Sequence, residues 1–197
     1  AHFLTEARYG GAKVINIAPD YSPSTVHADG WLNPRPGTDT ALALAAVQVI
    51  VAENRHDEAY LRSQTDLPLL VRSDDGRFLR GADVRRDGSE EAFYAWDPRA
   101  GAIAEAPGAR GASATTLDWG GIEPALRGRF RVRLADGHEV EVRPVFDLLV
   151  ERLNADSTPE QAAAITGVSA ESIRRFARDF AGADAALILS QYGACKF

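Results

Sequence analysis

The sequence predicts an α/β protein: a Rossmann-like parallel sheet with flanking helices, interrupted by an antiparallel β-hairpin insertion. Three observations lead there. Residues 13–18 form a short β-branched run with Val14, Ile15 and Ile17, the pattern of a buried parallel strand, and it ends on Pro19-Asp20. Residues 41–51 are apolar at nearly every position behind Gly37-Thr38-Asp39, and a helix apolar all round is expected to be buried. Between residues 67 and 144 the pattern changes to short alternating runs around Asp-Gly turns, the signature of hairpins. The organisation that follows is a first part of the α/β domain over 1–66, the β insertion over 67–143, and a return of helices and a strand over 144–197.

Taken in order, Phe3, Leu4 and Ala7 mark the tail of an amphipathic helix stopped by Gly10-Gly11. Helix, glycine turn and strand make the back half of a βαβ unit, so the front half is expected upstream of Ala1. Residues 21–26 read as a short helix or turn with Ser22 or Ser24 as cap, and Trp31-Leu32 as a brief strand closed by Asn33-Pro34-Arg35-Pro36. Thr38 or Gly37 caps the long helix, which runs to about Glu53. Asp57 opens a shorter one that fades near Thr65.

In the insertion, residues 69–72 and 77–80 flank Ser73-Asp74-Asp75-Gly76, and residues 92–96 and 102–104 form a second pair. Residues 129–134 and 138–142 form the clearest hairpin, because Phe130, Val132 and Leu134 alternate with Arg129, Arg131 and Arg133. Residues 106–121 are a glycine- and alanine-rich loop. Helices resume over 145–153. Thr158-Pro159-Glu160-Gln161 is a capping box with proline at the first helical position, and Gly167 ends that helix. Ser169 caps the next, with Ile173, Phe176, Ala177 and Phe180 on one face. Residues 185–190 read as a second buried strand, followed by a loop carrying Tyr192-Gly193.

At 197 residues, 45% apolar and 25% charged, the composition is that of a globular domain with an insertion. The net charge of −6 argues against nucleic acid as a partner, since phosphate binding needs a basic footprint. No apolar run reaches membrane-spanning length, so no direct membrane insertion is expected. There is no methionine, which suggests an excised or processed piece. The single Cys195 excludes a disulfide within the chain and a four-cysteine metal or iron–sulfur site. His2, His27, His56 and His138 lack metal-ligand spacing. Neither a catalytic residue nor a metal ligand is assigned.

Two carboxylates stand out. Asp20 follows the carboxyl end of a strand, where open α/β sheets hold ribose hydroxyls, though aspartate after proline is also an ordinary turn-former. Asp39 opens a helix. A carboxylate there accepts both the N1–H and the exocyclic amine of guanine, or it simply complements the helix dipole. Both readings stay open on the residues alone. The capped helices over 158–178, with Arg174, Arg175 and Arg178, resemble a DNA-binding helix-turn-helix; a packed helical hairpin feeding the next strand is the simpler account. A stand-alone nucleotide-binding module remains a further alternative.

Longer motifs carry a family resemblance. Ala1-His2-Phe3-Leu4-Thr5-Glu6-Ala7-Arg8-Tyr9, Ala18-Pro19-Asp20-Tyr21 and Pro36-Gly37-Thr38-Asp39-Thr40-Ala41-Leu42-Ala43-Leu44 resemble the molybdopterin oxidoreductases of the dimethyl sulfoxide reductase family. Tyr60-Leu61-Arg62, Thr65-Asp66-Leu67-Pro68-Leu69-Leu70-Val71-Arg72 and Tyr192-Gly193-Ala194-Cys195-Lys196-Phe197 are similar to catalytic subunits of one branch. That branch holds the nitrate, selenate and chlorate reductases and the dehydrogenases of dimethyl sulfide and ethylbenzene.

The resemblance implies a fragment of a catalytic subunit that binds one arm of a molybdenum bis(molybdopterin guanine dinucleotide) cofactor and is inactive alone. Asp39 would pair with guanine, Asp20 would sit by the ribose, and Gly37 and Thr38 would shape the pocket. Ser22, Tyr192 and Gly193 are further candidates for cofactor contact. An iron–sulfur cluster would lie elsewhere in the parent. The implied partners are the rest of that subunit and an iron–sulfur electron-transfer subunit, at the periplasmic or cytoplasmic face of a bacterial inner membrane.

Overall fold

A computed structural model describes residues 2–108 and 117–190. The chain divides into two compact units, Ala1–His56 with Arg152–Phe197, and Asp57–Glu151.

The first unit opens with α1 (His2–Tyr9), which ends where Gly10 N–H donates to the Glu6 carbonyl. Strand β1 (Ile15–Ile17) runs parallel to β2 (Gly30–Leu32), with Ile15 opposite Gly30 and Ile17 opposite Leu32. Between them lies one turn of helix, α2 (Pro23–Val26), which begins after Ser22. The long helix α3 (Asp39–Ala52) has Thr38 at its N-cap. After α6, described with the second unit, come α7 (Pro159–Thr166) and α8 (Ala170–Ala181), both packed on α3.

The caps at Thr158, Ser169 and Gly167 read from sequence are in place, whereas Thr38 stands at the N-cap of α3 without a side-chain capping bond. Thr158 Oγ1 accepts from Gln161 N–H, Ser169 Oγ from Ser172 N–H, and Gly167 closes α7 at φ 80°, a conformation that favours glycine. Leu32, Leu42, Ala45, Ala162, Val168 and Ile173 form the main core of this unit, with Ile15 and Phe176 against it.

Four expectations need correcting here. The parallel sheet has two strands among the described residues, so the Rossmann-like order is not established. Residues 185–190 are not a strand, and Leu187, Ile188 and Leu189 are 67–79% exposed. A strand needs a ladder partner for its amides, and no described strand lies beside this segment. Strand β1 is shorter than expected, and Ile17 is largely exposed, because a two-stranded ribbon covers little of its own surface. Helix α3 is not buried all round: Leu42, Ala45, Ala46 and Val49 are buried along one face and Val51 is buried near its carboxyl end, while Leu44 and Val47 are exposed. Continuous apolar sequence hid which stripe the partner helices cover.

In the second unit, α4 (Glu58–Gln64) is capped by Asp57, whose Oδ1 accepts from Tyr60 N–H. A three-stranded antiparallel sheet has the order β3 (Leu70–Arg72), β7 (Glu139–Pro144), β6 (Phe130–Arg133). The hairpin at Gly76 exists as two backbone bonds, Arg72 N–H to Arg77 O and Leu79 N–H to Leu70 O, but the main partner of β3 is β7. Strands β4 (Tyr94–Asp97) and β5 (Ala102–Glu105) pair as expected. The one-turn helix α5 (Gly81–Val84) gave no sequence signal.

The alternation in β6 holds: Val132 is buried while Arg131 and Arg133 are exposed, opposite Glu141 and Glu139. Leu70, Leu79, Tyr94, Val132, Val140 and Val142 make this core, with Trp96 stacked on Phe130 at 4.3 Å. Helix α6 (Val145–Asp156) follows β7 directly.

Ion pairs tie the first unit together. Arg178 grips both carboxylate oxygens of Glu53 just past the end of α3, and Arg174 reaches Glu160 at the start of α7. The Arg178 hydrogen bond, with help from Arg55, holds the Glu53 carboxyl below the usual glutamate range. The unfolded chain therefore takes up that proton at higher pH than the folded one. The pair's stabilisation is present above the ordinary glutamate value and fades as pH falls through the lowered one. Glu53→Gln is expected to lower the urea midpoint slightly near pH 7, and the difference from the unsubstituted protein should fade as pH falls through the lowered Glu53 value.

Candidate nucleotide-binding edge

Two loops leave the same edge of the parallel pair, because β1 and β2 run in the same direction. The first, 18–22, is tied at several points. Ala18 N–H donates to Leu32 O at 3.0 Å, and the Trp31 indole Nε1–H donates to Ala18 O at 2.9 Å. The rings of Tyr21 and Trp31 meet edge to face, 5.3 Å apart at 79°. Ser22 N–H donates to Thr25 Oγ1, which also accepts from the Asn16 side chain at 2.6 Å. Thr25 is buried, so the loop is pinned to β1 from behind.

The second loop, 33–38, is anchored by Arg35. Its backbone N–H donates to Thr166 O at 2.8 Å, and its guanidinium donates to Ala164 O at 2.9 Å and Ile165 O at 3.0 Å. These are carbonyls of the last turn of α7, left without helical partners. Thr38 N–H and Oγ1–H both donate to Arg35 O. With Pro36 next and Gly37 at φ 80°, this is a type II turn, and glycine is required there by the backbone. A Cβ on Gly37 would meet nothing within 4 Å, so the space above the turn is open.

Asp39 is the first residue of α3 and is half-buried; Asp20 is exposed. Neither carboxylate has a hydrogen-bond or ion-pair partner among the described residues. Asp20 and Ser22 lie on the loop after β1, and Gly37, Thr38 and Asp39 lie between β2 and the start of α3, both following the same end of the parallel pair. Tyr192 and Gly193 lie outside the described residues, as does Cys195. The clamping roles of Arg35 and Trp31 went unread in the sequence, although an arginine between two prolines holds the only backbone N–H of that tripeptide.

Several other charges in this unit are internally paired, while Glu171, Arg175 and Asp184, like Asp20 and Asp39, have no ion pair among the described residues. Asp29 accepts from the Arg8 guanidinium at 2.8 Å and from Val14 N–H at 2.9 Å, which together hold its carboxyl below the usual range. Lys13 pairs with Asp179. A hollow of about 90 Å³ between the ribbon and α8 is lined by Lys13, Ile15, Trp31, Arg175 and Phe176 among others, and by neither Asp20 nor Asp39. Among the described residues no group of three or more His, Cys, Asp or Glu side chains converges as a metal site, and no helix is long and apolar enough to cross a membrane. The two helices of the helix-turn-helix comparison pack on α3, and two of their three arginines are bonded to Glu53 and Glu160.

An α/β unit with a glycine turn opening a helix at a parallel-strand edge is a general class, and the comparisons make it specific. Residues 1–190 match the family model for the molybdopterin oxidoreductases, and the chain belongs to that family. It is 45% identical to the perchlorate reductase subunit alpha of Dechloromonas aromatica, over 96% of this chain and 22% of that protein. It is 44% identical to the chlorate reductase subunit alpha of Ideonella dechloratans, over 98% of this chain and 20% of that one. It is 40% identical to the dimethylsulfide dehydrogenase subunit alpha of Rhodovulum sulfidophilum, over 100% of this chain and 21% of that one. The chain spans about a fifth of the length of these relatives.

Proposed function

We propose that this chain is the part of a molybdenum oxidoreductase catalytic subunit that holds the guanine end of one molybdopterin guanine dinucleotide arm. The observation that carries the reading is Asp39: a carboxylate without a partner among the described residues, at the first position of α3, beside an open type II turn, in a chain that matches the family over 190 residues. Guanine presents two adjacent donors, N1–H and the exocyclic amine, and a carboxylate is the side chain with two acceptors at matching spacing.

The residues fit the group. Asp20, on the neighbouring loop, offers acceptors to ribose hydroxyls, and Ser22 adds a hydroxyl. Gly37 leaves room for a base to approach the backbone, and Thr38 fixes the turn through Arg35 O. Tyr192 and Gly193 belong to the same reading on the strength of the motif alone. When bound, the molybdenum and its pterin thiolates supply two-electron redox chemistry and oxygen-atom transfer. The residues of this chain bind and orient. They fix the base by its edge and the sugar by its hydroxyls, and so set where the far end of the cofactor lies.

The parent enzyme is then an anaerobic respiratory reductase of nitrate, selenate, chlorate or perchlorate, or a dehydrogenase of the dimethyl sulfide or ethylbenzene type. Its partners are the rest of the catalytic subunit and an iron–sulfur electron-transfer subunit. We place it at the periplasmic or the cytoplasmic face of a bacterial inner membrane, with the periplasmic face preferred.

Acid release and nucleotide analysis of the purified full-length subunit test the reading. Molybdenum accompanied by guanosine monophosphate, with dye-coupled reduction of one of these oxyanions or oxidation of one of these reduced substrates, is expected. Molybdenum with cytidine nucleotide, or without any nucleotide, contradicts it. The 197-residue chain by itself is expected to catalyse none of these reactions.

A further inference from the structure

Tyr21 has a position that neither carboxylate role requires. It follows Asp20 directly and is 64% exposed, with its ring in contact with Trp31. It meets Trp31, whose indole N–H is bonded to Ala18 O, and Ala18 N–H is bonded in turn to Leu32 O. A large aromatic ring thus stands in the open at the strand edge, against a tryptophan that is itself tied to β1 and β2. The rings lie 79° apart, so one presents its edge to the other's face. In either arrangement at least one face of Tyr21 stays uncovered by Trp31.

A carboxylate engages only the edge of a purine, leaving both faces to be covered by something else. The side chain suited to a flat, polarisable face is another flat ring. We propose that Tyr21, braced by Trp31, is the stacking surface for the purine bound at this edge. The inference rests on reading the Asp20 and Asp39 loops as a guanine-nucleotide site, and it adds a division of labour. Asp39 selects the base by its edge, while Tyr21 contributes affinity without selecting, because every base has a face.

The test is calorimetric titration of the cofactor-free full-length subunit with guanosine monophosphate and, separately, adenosine monophosphate. Tyr21→Leu should weaken both nucleotides alike, by roughly tenfold, and Tyr21→Phe should stay within about twofold of the unsubstituted protein. Asp39→Asn should weaken the guanine nucleotide alone. Since Tyr21 is exposed, Tyr21→Leu should keep the far-ultraviolet circular dichroism unchanged. Quenching of Trp31 fluorescence on nucleotide addition, lost in Trp31→Phe, is a second readout of a base seated against the pair.

If Tyr21→Leu leaves both affinities intact while Asp39→Asn weakens the guanine nucleotide, the stacking role is wrong and the site stands. If Tyr21→Phe loses as much as Tyr21→Leu, the hydroxyl matters rather than the ring, and the proposal is overturned. If neither Asp39→Asn nor Tyr21→Leu has an effect, or the unsubstituted subunit binds neither nucleotide, the site and the stacking role fall together.

Discussion

Asp39→Asn is expected to lower the affinity of the cofactor-free subunit for guanosine monophosphate by about a hundredfold, close to 3 kcal/mol. The substitution keeps the side-chain volume but replaces one acceptor oxygen with an NH2 group. That group faces a guanine donor, so one charged hydrogen bond is lost and a donor is left against a donor. A site built around a pair of hydrogen bonds rejects the partner that cannot complete them far more strongly than an apolar pocket rejects a misfit. The alternative role of Asp39, a negative charge on the first turn of α3, makes a different prediction. It loses roughly 0.5 kcal/mol of stability on neutralisation and changes nucleotide affinity little. Calorimetry and a thermal melt on the same variant therefore separate the two roles.

Ile173→Ala is expected to cost about 3 kcal/mol of stability, read as a fall in the urea midpoint with little change in slope. Ile173 is fully buried on α8, in the cluster with Leu32, Leu42, Ala45, Ala162 and Val168. Truncation removes three carbons from a site walled by two other helices and β2, which have little freedom to collapse into the gap. Ile165→Ala on α7 is the control: that side chain is 50% exposed, and its loss should cost less than about 0.5 kcal/mol of stability. The same core seats α3 against α7 and α8 and carries Leu32 at the end of β2. Loosening it is expected to weaken nucleotide binding indirectly, through displacement of the 33–39 loop.

Local chemistry is what the sequence made legible. The Thr158 and Ser169 caps, the Gly10-Gly11 and Gly167 stops and the alternation in β6 depend on neighbours a few residues away, and all are found. Distant pairings were harder. The apolar run 185–190 carries a strand's composition, but strand formation depends on a ladder partner that its own residues cannot specify. Helix α3 reads as buried all round because alanine and valine are equally apolar on both sides; only the arrival of α7 and α8 selects a face.

The site followed the same division. Asp20 and Asp39 were visible as acids past a strand and at a helix start. Arg35 was not, because its partners lie about 130 residues away, at Ala164 and Ile165. Nor was Trp31, whose indole bond to Ala18 exists only once the two strands pair. Residues alone favoured a helix-dipole aspartate over a base-reading one at position 39; the family motif favoured the second, and Asp39→Asn distinguishes them.

The most direct measurement is an experimental structure of the cofactor-loaded full-length subunit, read at the distances from the Asp39 carboxylate oxygens to guanine. Both oxygens within about 2.7–3.0 Å of N1 and the exocyclic nitrogen, with Asp20 on the ribose, is the predicted result. A guanine edge paired with other residues, and Asp39 bonded only to the amides of its own helix turn, would contradict the account.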